Sequence, residues 1–227
     1  MLNLNNHVKY SRVHKKYIRR LGIPKYEDWN SGKKINKEIK ESIKKQLLLW
    51  QNGKCVYCGL KLGGTSRGEI EHIAPRHLYP EFEYTTKNLA MSCQFCNSSS
   101  KKGRKDTIEL KNIYYNQCTF TIVHPYFDDV DHYFESEGAI IRISSGLTRS
   151  EEMKARNTMD MFGLGENCHV EERAKQILWE TLRTERTLDK ANEILLECIS
   201  MQFTASSGRY SVLERPFSEA NGRPFFS

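Results

Sequence analysis

The chain has 227 residues, 38% of them apolar and 28% charged, with a net charge of +7. That length can bury a substantial core, no apolar run approaches the ~18 residues of a membrane span, and the opening residues lack the apolar centre of a secretory signal. A cytoplasmic protein with no membrane role is the expectation.

The charge is unevenly placed. Residues 1–54 hold 14 Lys/Arg against 4 Asp/Glu, residues 55–96 hold 4 of each, residues 97–111 hold 5 against 2, and residues 112–227 hold 12 against 18. A basic first half implies a polyanionic partner, because Lys and Arg gain affinity by releasing counterions from phosphates. A solvated basic surface is the equal alternative.

In chain order, residues 8–21 place Val13, Tyr17 and Leu21 four apart, a short amphipathic helix with a basic face. Pro24 and Gly32 punctuate the next stretch. Ile35, Ile39, Ile43 and Leu47 then repeat at strict i, i+4 spacing, which predicts a helix over 34–50, ended by Asn52-Gly53. CVYCGLKLGG reads as a tight knuckle. GEIEHIAP reads as a strand stopped by Pro75, residues 74–88 as a polar loop, and NLAMSC as a second strand. FCNSSSKKGRK looks like a turn entering a short helix. Residues 119–123 and 139–144 are strand-like, residues 151–163 and 168–201 helical, and the tail from Ser206 polar. Three regions result: a basic helical segment 1–50, a core 51–111, and an α+β extension 112–227.

There are seven cysteines, an odd number in a chain with no expected secretory signal, so a disulfide framework is not expected. Cys55-x-x-Cys58 and Cys93-x-x-Cys96, with 34 residues between them, form two ligand pairs. Four soft thiolates with no histidine suit a closed, structural, tetrahedral Zn²⁺ site. An iron–sulfur site or a redox dithiol is the alternative. Cys118, Cys168 and Cys198 are isolated and read as small core residues.

Beside the cysteines lie Glu71-His72, Asn88 and Asn97. The pattern E-H-I-x-P, then N-L, then C-x-x-C-N, resembles the HNH nuclease family over residues 55–105. The resemblance implies an α+β fold: a ββα-metal core with a zinc knuckle, flanked by N-terminal and C-terminal helices. It implies an endonuclease that hydrolyses phosphodiester bonds, with double-stranded DNA the expected substrate. His72 would be the general base, since a neutral imidazole can take a proton from water near pH 7. Glu71 and Asn97 would supply hard oxygen atoms to a catalytic Mg²⁺ or Mn²⁺. Asn88 would brace the loop near the histidine. Each residue also has an ordinary reading: a polar histidine, a surface carboxylate, a turn asparagine, a helix cap. Their common spacing is what joins them.

Two departures from the family pattern stand out. Glu71 replaces the usual aspartate, and Ser100 stands where a lysine often falls, with Lys101 and Lys102 following. Candidate phosphate contacts are Lys15, Lys16, Arg19 and Arg20 in one cluster and Lys101, Lys102, Arg104 and Lys105 in another, with Arg76 and His77 after the catalytic strand. Such contacts position a protein without reading sequence.

The stretch from His124 through Ile143, with NCHVEERAK beyond it, resembles the extension of stand-alone HNH proteins of bacterial anti-phage systems. These include the nuclease subunit acting beside an ATPase in Septu-type and some retron systems. The resemblance implies a defence role and either an ATPase partner subunit or self-association. An acidic second half repelled by nucleic acid fits a protein partner; helices that only complete the monomer core are the alternative. His124, Asp128, Asp129, Asp131 and His132 read as a solvated turn ahead of a second metal site. Two further functions compete: a non-catalytic zinc-knuckle module that binds nucleic acid or protein, and a restriction or homing endonuclease.

Overall fold

The computed structural model describes residues 1–63 and 66–185, together with residues 193 and 196. Cys198, the helix expected beyond 185 and the polar tail from Ser206 lie outside the described residues.

The first helix, α1, runs Arg12–Leu21. It starts four residues later than expected because Ser11 caps it, accepting from the His14 N–H at 3.1 Å. Gly22, at φ +67°, ends it. A single turn, α2 (Tyr26–Trp29), comes next, and α3 spans Lys34–Trp50, as the spacing predicts. Ile39, Ile43 and Leu47 are fully buried against Trp29, Tyr84, Leu89 and Met91. Asn36, on the same face, is buried because its Nδ2 donates to Trp29 O at 2.7 Å and Asp28 O at 2.9 Å, closing the end of α2.

Strands β1 (Gly68–His72) and β2 (Leu89–Cys93) pair antiparallel, Glu71 opposite Ala90 and His72 opposite Leu89. The loop between them holds two 3₁₀ turns, Pro80–Phe82 and Thr86–Asn88. The helix expected within 95–105 is absent: residues 94–104 form a run of turns. Three consecutive serines favour local turns over helix. Gly103 then bends the chain at φ +46°, where an added Cβ would lie 2.9 Å from Ser99 Cα. The bend carries Lys102 inward.

The extension opens with a short bulged hairpin, β3 (Ile108–Leu110) against β4 (Thr119–Phe120). The strand expected over 119–123 is therefore only two residues long. After the short helix α4 (Val130–Tyr133), β5 (Phe134–Glu137) pairs with β6 (Ile140–Ile143). Helix α5 (Arg149–Phe162) is opened by a capping box between Thr148 and Glu151 and closed by Gly163 in the left-handed region. Helix α6 is described over Asn167–Glu185.

These parts share interior. The Phe162 ring stacks on Tyr57 of the knuckle at 3.6 Å, and Leu4, Ile122 and Leu164 join the same buried cluster. The N-terminal stretch stitches the two sides together, Leu2 N–H to Val56 O at 2.9 Å and Leu4 N–H to Pro125 O at 2.7 Å. Among the described residues, α5 and the link that follows it thus complete the core around the knuckle. Cys118 is buried, as expected of a small core residue, whereas Cys168 is exposed, on the first turn of α6.

Candidate active site

The four paired cysteines converge. Cys55, Cys58, Cys93 and Cys96 are all buried, with their sulfur atoms within 4.8 Å of one another, a cluster able to hold a metal ion. Local structure delivers them: Gly59 at φ +74° turns the first pair, and the end of β2 presents the second. The Cys96 N–H points at Cys93 Sγ at 3.4 Å. His169 of α6 closes the group, with Nε2 3.9 Å from Cys96 Sγ and Nδ1 2.7 Å from Gly163 O.

A second site lies at the end of β1. A pocket of about 350 Å³ is lined by Glu71, His72, Arg76, His77, Asn97 and Lys102, with Tyr26 and Trp29. The His72 ring is buried, edge-on to Trp29 with centroids 4.4 Å apart. Its Nε2 lies 3.1 Å from Glu83 O. A carbonyl can only accept, so Nε2 carries the proton of the neutral ring and Nδ1 holds the lone pair. Burial, then the charges of Arg76 and Lys102, push the pKa of His72 down to about 3, so the ring is neutral at physiological pH.

Glu71 is also buried. Its Oε1 lies 2.8 Å from Lys102 Nζ and 3.3 Å from Tyr57 Oη. Burial raises the carboxyl pKa, while the Lys102 ammonium pulls against that rise. Lys102 also donates to His72 O. The donor set suits a divalent ion in kind, since a carboxylate and an amide oxygen-bearing side chain line one pocket beside a neutral imidazole. The Lys102 ammonium is the cation now on that carboxylate.

Asn97 does not meet Glu71 directly. Its Nδ2 donates to Glu69 Oε2 at 2.8 Å. Glu69 and Glu71 share one face of β1, two residues apart. Since Nδ2 is fixed on Glu69, the amide oxygen is directed away from that carboxylate. Asn88 is fully buried, and its side chain clamps the loop: Oδ1 accepts from Ala74 N–H at 2.7 Å, and Nδ2 donates to Ala74 O at 3.2 Å and Phe82 O at 3.0 Å.

The basic candidates separate. His77 sits in the pocket, its pKa lowered by desolvation and then by Arg104. Arg76 is held by the protein: it donates to Tyr26 O at 2.9 Å, stacks over the Tyr26 ring at 4.1 Å and lies 3.7 Å from Glu83 Oε1. Lys101 pairs with Glu166 instead. Arg104 and Lys105 are exposed. Lys15, Lys16, Arg19 and Arg20 are exposed along α1, lining one shallow groove with Arg12. The acidic turn gathers no metal-type cluster among the described residues. Asp128 pairs with Lys154 at 2.7 Å, Asp129 caps α4, Asp131 accepts from Asn3, His132 meets Glu151, and His124 turns inward.

Sequence reasoning missed Glu69, Glu83 and Trp29. Glu69 was within reach, because the two-residue strand period places it beside Glu71. Trp29 and Glu83 carry no such signal, since only the packing of α2 and the 74–88 loop brings them to His72.

The HNH endonuclease family model matches residues 55–104, a stretch that contains both cysteine pairs, Glu71, His72, Asn88 and Asn97. The chain is also similar to the Septu protein PtuB of Bacillus thuringiensis, 29% identical over 128 residues, which is 56% of this chain and 42% of that protein. A second Septu protein PtuB, from Bacillus mycoides, is 39% identical over 75 residues, 27% of this chain and 25% of that one. The matched stretches thus span less than half the length of either relative. On the geometry and the match together, this chain carries an HNH endonuclease domain at residues 55–104 and is related to Septu PtuB proteins over part of its length.

Proposed function

We propose that this protein is a metal-dependent endonuclease that hydrolyses phosphodiester bonds, with double-stranded DNA as its substrate. The observation that carries the reading is the state of His72: buried, neutral, and turned by the Glu83 carbonyl so that Nδ1 is the basic nitrogen, in the pocket that Glu71 and Asn97 also line.

In this reading His72 Nδ1 takes a proton from the attacking water. The neutral ring, with its proton on Nε2, is the form that has a free Nδ1 lone pair to accept it. Glu71 and Asn97 hold a Mg²⁺ or Mn²⁺ ion, which when bound stabilises charge on the phosphate and on the leaving oxygen. Lys102 keeps the Glu71 carboxylate compensated. Asn88 fixes the loop that carries the Glu83 carbonyl. The four cysteines hold a structural Zn²⁺, consistent with their closed, buried arrangement. Lys15, Lys16, Arg19 and Arg20, with His77, Arg104 and Lys105, track phosphates.

The similarity to Septu PtuB proteins supports a role in bacterial anti-phage defence, in the cytoplasm, with an ATPase partner subunit or a second copy meeting the acidic extension. The organisation in this reading is 1–50 for basic contacts, 51–111 for chemistry, and 112–227 for regulation and partners. Plasmid cleavage with Mg²⁺, Mn²⁺ or chelator tests the activity. The expected result is cutting in the two metal lanes and none with chelator. No cutting in any lane, alone and with the neighbouring gene's product, would favour a non-catalytic binding module.

A further inference from the structure

We propose that Tyr115 and His124, which lie beyond the matched HNH stretch, are positioning residues of the nuclease site, acting through Asn88. The inference rests on the nuclease reading and adds to it a part of the extension.

The Tyr126 backbone N–H donates to His124 Nδ1 at 3.2 Å. Nδ1 is therefore the acceptor nitrogen, and the neutral ring carries its proton on Nε2. Burial holds the ring neutral, its pKa lowered well below the ordinary value. Nε2 lies 2.9 Å from Tyr115 Oη, so Nε2–H donates there. The Tyr115 hydroxyl then has its proton free to donate, and Asn88 Oδ1 lies 2.9 Å away. Since Oδ1 also accepts from the Ala74 N–H at 2.7 Å, both of its acceptor positions are filled. Both Nδ2 protons go to Ala74 O and Phe82 O. The Asn88 amide has no alternative orientation that keeps these four bonds.

The chain of bonds ends at the chemistry. Asn88 grips Ala74, two residues after His72, and Phe82, one residue before Glu83. Its own carbonyl accepts from the Ile73 N–H at 2.9 Å. The Glu83 carbonyl is what fixes the tautomer of His72. So a direction set at Tyr126 N–H passes through His124, Tyr115 and Asn88 to the two backbone segments that hold the base. All three side chains are buried: Asn88 and His124 are 0% exposed and Tyr115 is 6% exposed. In such surroundings a missing partner cannot be replaced by water without rearrangement. Aromatic packing seats the relay, with His124 stacked on Phe127 at 4.3 Å and Tyr115 edge-on to Phe82 at 5.0 Å.

The test compares Tyr115→Phe with Tyr84→Phe in the full-length protein. Both remove one tyrosine hydroxyl from the interior. The Tyr84 hydroxyl donates to Asn36 Oδ1 of α3 at 3.0 Å and is outside the relay. Tyr115→Phe should lower kcat for plasmid cleavage by roughly ten- to a hundredfold, as loss of supporting hydrogen bonds does in other sites, with KM for DNA little changed. It should also move the His72 imidazole signals in ¹H–¹⁵N spectra of the Mg²⁺-free protein. Tyr84→Phe should do neither. His124→Leu should act in the same direction as Tyr115→Phe, and the double variant should be little worse than either alone.

Wild-type kcat in both Tyr115→Phe and His124→Leu would overturn the proposal. If the wild-type protein cuts nothing, the nuclease reading fails by itself, and the relay is judged on the spectra: His72 signals unmoved by Tyr115→Phe overturn it, and signals moved by Tyr115→Phe but not by Tyr84→Phe support it.

Discussion

Lys102 Nζ lies 2.8 Å from Glu71 Oε1, and both side chains are almost wholly buried. Two residues 31 positions apart thus share one desolvated ion pair at the floor of the pocket, placed there by the Gly103 bend and by β1. Removing one partner of such a pair leaves a bare buried charge, which costs about 3–5 kcal/mol. Lys102→Met should lower the urea midpoint of the zinc-loaded, Mg²⁺-free protein accordingly, and adding Glu71→Gln should recover part of the deficit. A Lys102→Met protein as stable as wild type would mean that the pair does not form in solution.

The cysteine cluster predicts metal-linked stability. Because a closed thiolate site contributes its binding free energy to folding, Cys93→Ser should lose zinc and lower Tm. A loss of about 4 kcal/mol corresponds to a fall of roughly 8–16 °C in a chain of this size. Elemental analysis should find one zinc per wild-type chain. No metal, or iron in its place, would contradict the structural-zinc assignment.

Glu83 predicts a pH dependence. Burial, opposed by Arg76 at 3.7 Å from Oε1, raises its carboxyl from the ordinary 4.5 to about 7. Between these values the folded protein binds a proton that the unfolded chain has released. Stability from this group therefore falls as pH rises from about 4.5 to 7 and levels off above it. Glu83→Gln should match wild type below pH 4.5 and exceed it at pH 8, as read by urea unfolding. It retains the backbone carbonyl that His72 meets. An equal pH slope in the two proteins would contradict this account.

What the sequence makes legible depends on distance along the chain. The i, i+4 isoleucines mark α3 to the residue, and the cysteine and E-H-I-x-P spacings mark the knuckle and β1, because those motifs are local. Residues 95–105 read in sequence as a turn entering a short helix, but the helix does not form, since three serines and Gly103 outweigh the lysines around them. Lys102 cannot be distinguished from Lys101 by sequence: one tucks beneath His72 and the other reaches Glu166, a difference set by the Gly103 bend. Tyr115 and His124 stand 27 and 36 residues from Asn88, and only the folded extension reveals that they meet.

The basic face of α1 makes a further prediction about affinity. Lys15, Lys16, Arg19 and Arg20 are exposed on one side of the helix. If they touch phosphates, changing all four to Ala should weaken binding to unrelated DNA sequences alike. The dependence of log K on log salt should become shallower by up to about 0.9 for each phosphate no longer neutralised. An unchanged slope, measured by fluorescence anisotropy, would remove α1 from the interface.

The measurement closest to the central claim is plasmid cleavage by His72→Ala beside wild type, in Mg²⁺ or Mn²⁺, with zinc content and folding checked for both. A general base contributes roughly 10²–10⁴-fold in rate. The account predicts that wild type cuts, and that the variant, folded and zinc-loaded, shows a loss of that size. A His72→Ala protein that keeps more than about a tenth of the wild-type rate, well short of that loss, would contradict the assignment of His72 as the base.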